Sequence, residues 1–177
     1  MNLNIEEGRY IILGSIDGLL ATLGIIVGVS VTSASDVVIV SAAFGGAIAL
    51  ALTNGLGSYL AESTIEYGKL AVTEKSLLRD LSDTYVESQS RRKIMKDAVF
   101  SGAASFIGSL VPMSPYLLSV GSVTISIALS LISLIALGIY AGYISKQSYA
   151  VSVLKMVGLG ALIIIAVQLL RISHLIT

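Results

Sequence analysis

Between Ala98 and Ser145 the chain runs for 48 residues without an Asp, Glu, Lys or Arg. As one helix that stretch would reach roughly 70 Å at 1.5 Å per residue, about twice a hydrocarbon core near 30 Å. It must lie in lipid and turn back on itself. Both prolines of the chain fall in Pro112-Met113-Ser114-Pro115. A proline lacks the backbone donor a helix needs, so the turn is expected there. Residues 18–35 and 37–61 are also charge-free, and a last apolar run from Val151 to Leu170 is interrupted only by Lys155. The pattern predicts an all-α integral membrane protein with five transmembrane helices, at about 10–31, 37–61, 97–112, 117–144 and 152–173.

Composition narrows the function classes. The 177 residues are 55% hydrophobic and 12% charged, against roughly 25% charged in soluble domains. Eleven basic residues balance eleven acidic ones, which speaks against an electrostatic nucleic-acid binder. The absence of cysteine excludes disulfide scaffolds, thiolate metal sites and Cys nucleophiles. Glu6 and Glu7 stand where a signal peptide would carry positive charge, so the first apolar run is expected to stay as a span. One membrane domain is expected, divided into helices 1–2 (residues 1–61), an insert (62–97) and helices 3–5 (98–177).

Basic residues set the orientation. Arg9, Lys69, Lys75, Arg79, Arg91, Arg92, Lys93, Lys96, Lys146 and Lys155 all fall on one side if the N-terminus is cytoplasmic, and only Arg171 does not. The expected topology is N-in, C-out. With no tryptophan, Tyr10, Tyr59, Tyr116, Tyr140 and Tyr143 are read as interfacial anchors. Gly14/Gly18, Gly24/Gly28 and Gly138/Gly142 are pairs four apart inside spans, the spacing that lets membrane helices approach closely.

The insert holds seven acids and seven bases, or 14 of the 22 charges. It lacks proline and is rich in helix formers, so one or two helices should project into the cytoplasm. On a continuous helix Glu62, Glu66, Asp80, Asp83 and Glu87 would share an arc of roughly 100°, with Leu70, Leu77, Leu81 and Tyr85 in a separate apolar stripe. Gly68 is where such a helix could break. Clustered carboxylates suit hard or borderline cations such as Mg²⁺, Mn²⁺ or Fe²⁺. The competing reading is a solvated face laced with ion pairs.

Asp17 is the one acid well inside a span. An acid at mid-membrane costs roughly 2.5–3.5 kcal/mol on insertion scales, which makes it a functional-site hypothesis by default. Lying seven residues past Tyr10, it sits about 10 Å from the cytoplasmic edge. On the antiparallel second span, Thr53 and Asn54 lie eight to nine residues before Glu62, at nearly the same depth. A carboxylate, a hydroxyl and an amide at one level, with Glu62 and Glu66 below, suit a partly dehydrated divalent cation. A purely structural Asp17–Asn54 hydrogen bond is the alternative.

Arg9 and the run Ile11-Ile12-Leu13-Gly14-Ser15-Ile16-Asp17-Gly18-Leu19-Leu20-Ala21-Thr22 resemble the first-span motif of the vacuolar iron transporter family of Fe²⁺/Mn²⁺ transporters. Gly55-Leu56-Gly57-Ser58-Tyr59-Leu60-Ala61-Glu62-Ser63 is similar to the end of that family's second span, and Pro112, Pro115 and Tyr116 to its third-span turn. The resemblance implies a homodimer, an ion path between the two first and second spans, and proton-coupled export of metal from the cytoplasm. It implies Asp17 as a translocation ligand and Glu62 and Glu66 as ion-gathering glutamates, with Glu74, Asp80, Asp83 and Glu87 as further insert ligands. Two residues depart from the family: Asn54 replaces a Met, exchanging a soft thioether for a hard amide oxygen, and Ile16 replaces an Asn.

The function expected is a divalent transition-metal antiporter in a prokaryotic cell membrane, with Asp17, Asn54 and the acidic insert as its metal ligands. Metal ions, protons, the bilayer and a second copy are the expected partners, with no permanent cofactor. A non-transporting metal sensor or scaffold is the alternative. Ser126, Ser130 and Ser133 form no Ser–His–Asp or Ser–Lys arrangement, no Gly-rich phosphate loop is present, Gln168 lies toward the external end of span five and the lone His174 beyond it reads as solvated, so no enzyme is expected.

Overall fold

The computed structural model describes residues 5–32, 34–118, 120–146 and 148–176; the side chains of 5–7, 168 and 170–176 lie outside the description, Gln168 and His174 among them. The chain forms five helices, α1 (Ile5–Ser30), α2 (Asp36–Leu77), α3 (Tyr85–Leu117), α4 (Val123–Ser145) and α5 (Tyr149–Ile176). All five are long and apolar enough to cross a membrane. No strand occurs among the described residues.

α3 packs along both α1 and α2, and the α4–α5 pair rests on α1. Apolar side chains fill two faces of α1. Ile26 meets Ile39 and Ala43 of α2 and Met113 and Tyr116 of α3, while Ile16, Leu19 and Leu20 meet Leu134 of α4. The contact of α1 with α3 is closer than side chains allow. A Cβ on Gly18 would lie 1.9 Å from the Ser105 carbonyl oxygen, and one on Gly14 would lie 2.6 Å from that of Ser101. The two helices therefore run parallel in fixed register, and Ser109 Oγ ties them by donating to the Gly18 carbonyl at 3.1 Å.

The prolines do not make the turn expected of them. Pro112 and Pro115 are buried inside α3, which runs on to Leu117, and α4 starts only at Val123. Proline costs a helix one hydrogen bond, and here a neighbour compensates. Ser114 Oγ donates at 2.7 Å to the Val111 carbonyl, the acceptor that Pro115 leaves without its usual partner. The chain reverses beyond α3, where the Leu118 and Val120 N–H groups close onto Ser114 and Pro115 at 3.1 and 2.9 Å.

The charged stretch is not a continuous helix, so the five-acid arc does not form. Its two halves extend the flanking spans. α2 has 42 residues, roughly 63 Å at 1.5 Å per residue, twice what a bilayer core requires. It passes straight through Gly68 and stops at Leu78, whose backbone is left-handed (φ 51°) and whose N–H returns to the Glu74 carbonyl. Leu70 and Leu81 are buried, but with the helix broken Leu77 and Tyr85 are exposed. α3 restarts from an N-cap at Thr84, whose side chain accepts from the Glu87 N–H.

Two of the five tyrosines are not surface anchors. Tyr10 and Tyr116 are buried, whereas Tyr59 and Tyr143 are exposed. The glycine pairs divide similarly. Gly138 and Gly142 meet α5 closely, but a Cβ on Gly28 would touch nothing within 4 Å.

Candidate ion-binding groove

α1 and α2 leave between them a groove of about 480 Å³, with Ser101 of α3 also in its lining. Its lining includes Asp17, Thr53, Asn54, Ser101 and, at the foot, Arg9, Tyr10 and Glu62. The depth match of Asp17 with Asn54 is realised in three dimensions. Asp17 is exposed to the groove, and Asn54 Nδ2 lies 3.4 Å from its Oδ2. The same Nδ2 donates at 2.7 Å to Ser105 Oγ on α3. Thr53 lines the groove, but its hydroxyl donates to the Ala49 carbonyl of its own helix at 2.9 Å.

Glu62 is buried at the foot of the groove, 5% exposed. Burying a carboxylate requires compensation. The Tyr10 hydroxyl donates to Glu62 Oε1, and the Arg9 guanidinium lies 3.6 Å from the same oxygen. Arg9 also donates to the Tyr10 hydroxyl at 2.8 Å and stacks over its ring. Below, Glu66 ties the extensions of α2 and α3 together. Its Oε1 accepts from Lys69 at 2.9 Å and Lys93 at 3.1 Å, and Oε2 from Ser90 at 3.4 Å. The Lys69 hydrogen bond, followed by that of Lys93, holds the Glu66 carboxyl below its ordinary range despite burial.

The remaining acids serve the turn between α2 and α3. Glu74 Oε1 accepts from the Leu81 N–H at 3.0 Å, and Glu87 Oε2 from the Asp83 N–H at 2.7 Å. Asp80 accepts from the side chain and backbone of Ser82, which lowers its pKa. Asp83 is exposed in the turn with a left-handed backbone (φ 58°). Among the described residues of one chain, no three His, Cys, Asp or Glu side chains come close enough together to hold a metal.

Several residues in or behind the groove carry no functional signal of their own in the sequence. Ser101, Ser105 and Ser109 form a buried stripe four residues apart on α3, and only that spacing is visible in sequence. Asp97, one turn before Ser101, is 2% exposed and continues the stripe toward the foot of the groove. In sequence it is merely one of the insert's seven acids. Tyr10 read as an anchor, because nothing in the sequence shows that Glu62 points at it.

The sequence model of the VIT family matches residues 69–170, more than half of the chain. The chain belongs to the VIT family. This is a family of transporters, not of enzymes, and membership points to metal ion transport across a membrane. An uncharacterized protein of Methanocaldococcus jannaschii is 36% identical over 166 residues, covering 90% of this VIT-family chain and 86% of the relative. That similarity extends well into the first 68 residues, outside the family match, where Asp17, Asn54 and Glu62 stand.

Proposed function

We propose that this VIT-family protein exports a divalent transition metal, Fe²⁺ or Mn²⁺, in exchange for protons, with Asp17 as the intramembrane ligand. One observation carries the reading: a carboxylate inside the apolar span of α1 faces an open groove, with polar groups of α2 and α3 beside it and Glu62 at the groove's foot. A packing role would bury that carboxylate against a fixed partner. Here it meets a single donor at the long distance of 3.4 Å, and room for a hydrated ion remains.

The positive-inside rule places the α2–α3 hairpin, with most of the basic residues, in the cytoplasm. A cation then approaches past Glu66 and Glu62, where it competes with Lys93 and Arg9 for carboxylate oxygens, and reaches Asp17. Asp17 holds the cation on the way out, and the carboxylate it leaves is where the exchanged proton can ride back. Glu74, Asp80, Asp83 and Glu87 at the hairpin tip hold further lone pairs for gathering ions. One chain brings too few ligands together, which supports a path shared with a second copy across the open side of the groove. A prokaryotic cell membrane is the setting we favour, in line with the archaeal relative.

Flux measurements in proteoliposomes test this. With Mn²⁺ inside and an opposing proton gradient, the wild type should transport and Asp17→Ala should lose at least nine-tenths of the rate. Native flux through Asp17→Ala would remove the mechanism. Mn²⁺ binding with no flux in the wild type would make the protein a sensor or scaffold.

A further inference from the structure

Asn54 is held between Asp17 on α1 and Ser105 on α3. It turns its NH₂ toward the Asp17 carboxylate, and the same nitrogen donates to Ser105. That orientation opposes a cation, which on Asp17 would meet the positive end of the amide. For Asn54 to serve as a ligand the amide must turn over. The torsion involved is broad and roughly two-fold, so the motion itself is easy. The partner it leaves behind decides whether both settings are tolerable.

Ser105 is suited to both. Its side chain is fully buried, at 0% exposure. Its Oγ accepts from Asn54 and donates at 3.0 Å to the Ser101 carbonyl. A hydroxyl is both donor and acceptor. After the amide turns, the Ser105 proton can swing from Ser101 to Asn54 Oδ1, whose second lone pair remains for the cation. The wall that carries Ser105 is rigid relative to Asp17. A Cβ on Gly18, next to Asp17, would lie 1.9 Å from the Ser105 carbonyl oxygen, and one on Gly14 would lie 3.1 Å from Ser105 Oγ.

We propose that Ser105 is a positioning residue of the ion site, able to hold the Asn54 amide with its nitrogen on Asp17 or, turned over, with its oxygen toward a cation seated there. The proposal rests on the transport reading and adds α3 to a path otherwise built from α1 and α2.

A double-mutant cycle in proteoliposomes, with Mn²⁺ as the probe, separates this role from packing. Ser105→Ala should raise KM on the order of five- to tenfold, the worth of one buried hydrogen bond, with little change in maximal rate. In the Asn54→Ala background it should change nothing further. Ser105→Cys keeps the volume and should behave like Ser105→Ala. Equal losses in both backgrounds would assign Ser105 to packing alone and overturn the proposal. A second readout needs no transport. The chain has three asparagines, Asn2, Asn4 and Asn54, so ¹⁵N-asparagine labelling of the full chain in micelles yields three side-chain amides. Asn54 is the one lost in Asn54→Ala. Diamagnetic Zn²⁺ should move both Asn54 amide protons away from their hydrogen-bonded shifts, and Ser105→Ala should move one of them without any ion. An Asn54 amide indifferent to Zn²⁺ overturns the proposal whatever the flux. A wild type that moves no Mn²⁺ defeats the transport reading, while the amide signal still decides this one.

Discussion

Gly18→Ala is the sharpest test of the α1–α3 contact, because one added carbon is aimed at backbone. The new Cβ would lie 1.9 Å from the Ser105 carbonyl oxygen and 3.0 Å from the Ser109 nitrogen, where ordinary contact begins near 3.4 Å. Neither neighbour is a flexible side chain, so the helices must part by about 1.5 Å to restore that contact. Such a displacement stretches the 3.1 Å bond from Ser109 Oγ to the Gly18 carbonyl beyond hydrogen-bonding range. Overpacking costs about 1–3 kcal/mol and the lost bond about 1 kcal/mol, offset by up to about 1 kcal/mol from the better helix propensity of alanine. The net loss of about 1–3 kcal/mol should lower the thermal midpoint of the detergent-solubilised protein by roughly 2–12 °C. Mn²⁺ flux should fall with it, since Asp17 and Ser105 flank the contact. Gly28→Ala is the control, since its Cβ meets nothing within 4 Å, and its midpoint should be unchanged or slightly raised. Equal losses from the two variants, or a Gly18→Ala midpoint within 1–2 °C of wild type on the order of measurement error, would refute the packing argument.

Two further outcomes follow from the site. Asn54→Met replaces a hard amide oxygen by a soft thioether and should raise the ratio of Fe²⁺ to Mg²⁺ transport by about five- to tenfold, read by competition flux; an unchanged ratio would show that Asn54 does not contact the ion. Glu66, whose folded-state pKa lies below its ordinary 4.5, stabilises the hairpin fully above that pH, and the contribution is lost as pH falls through the lowered value. Hydrogen exchange at Ser90 and Lys93, taken relative to the intrinsic rate at each pH, should therefore accelerate on acidification below about pH 4.5 in the wild type. In Glu66→Gln it should be fast at neutral pH and lack that acid step.

Much of the architecture was legible because the membrane imposes it. Hydrocarbon tolerates only self-satisfied helices of sufficient length, so charge-free runs reveal five spans. The places where charge stops, however, are not the places where helices stop. α2 continues to Leu77 because its charged extension is still made of helix formers, and Pro112 and Pro115 stay helical because Ser114 and close packing compensate for the missing donors. At the site, Asp17 and Asn54 could be matched by depth, since helical rise converts residue number directly into height. Ser105, Tyr10 and Asp97 could not, because their roles depend on the rotation of α3 and α1 about their own axes.

The sequence by itself determined that the chain spans a membrane five times, that a lone acid lies inside the first span, and that most charge lies between spans two and three. Those are properties of one dimension, where solvation cost depends on composition along the chain. Only the tertiary structure decided which side chains share the groove. The approach of Gly14 and Gly18 to the α3 backbone, close enough to exclude a side chain, fixes the register that sets Ser105 behind Asn54 and Asn54 beside Asp17. The same packing gives Glu62 to Tyr10 and Arg9, because a carboxylate buried there must find donors on the neighbouring helix.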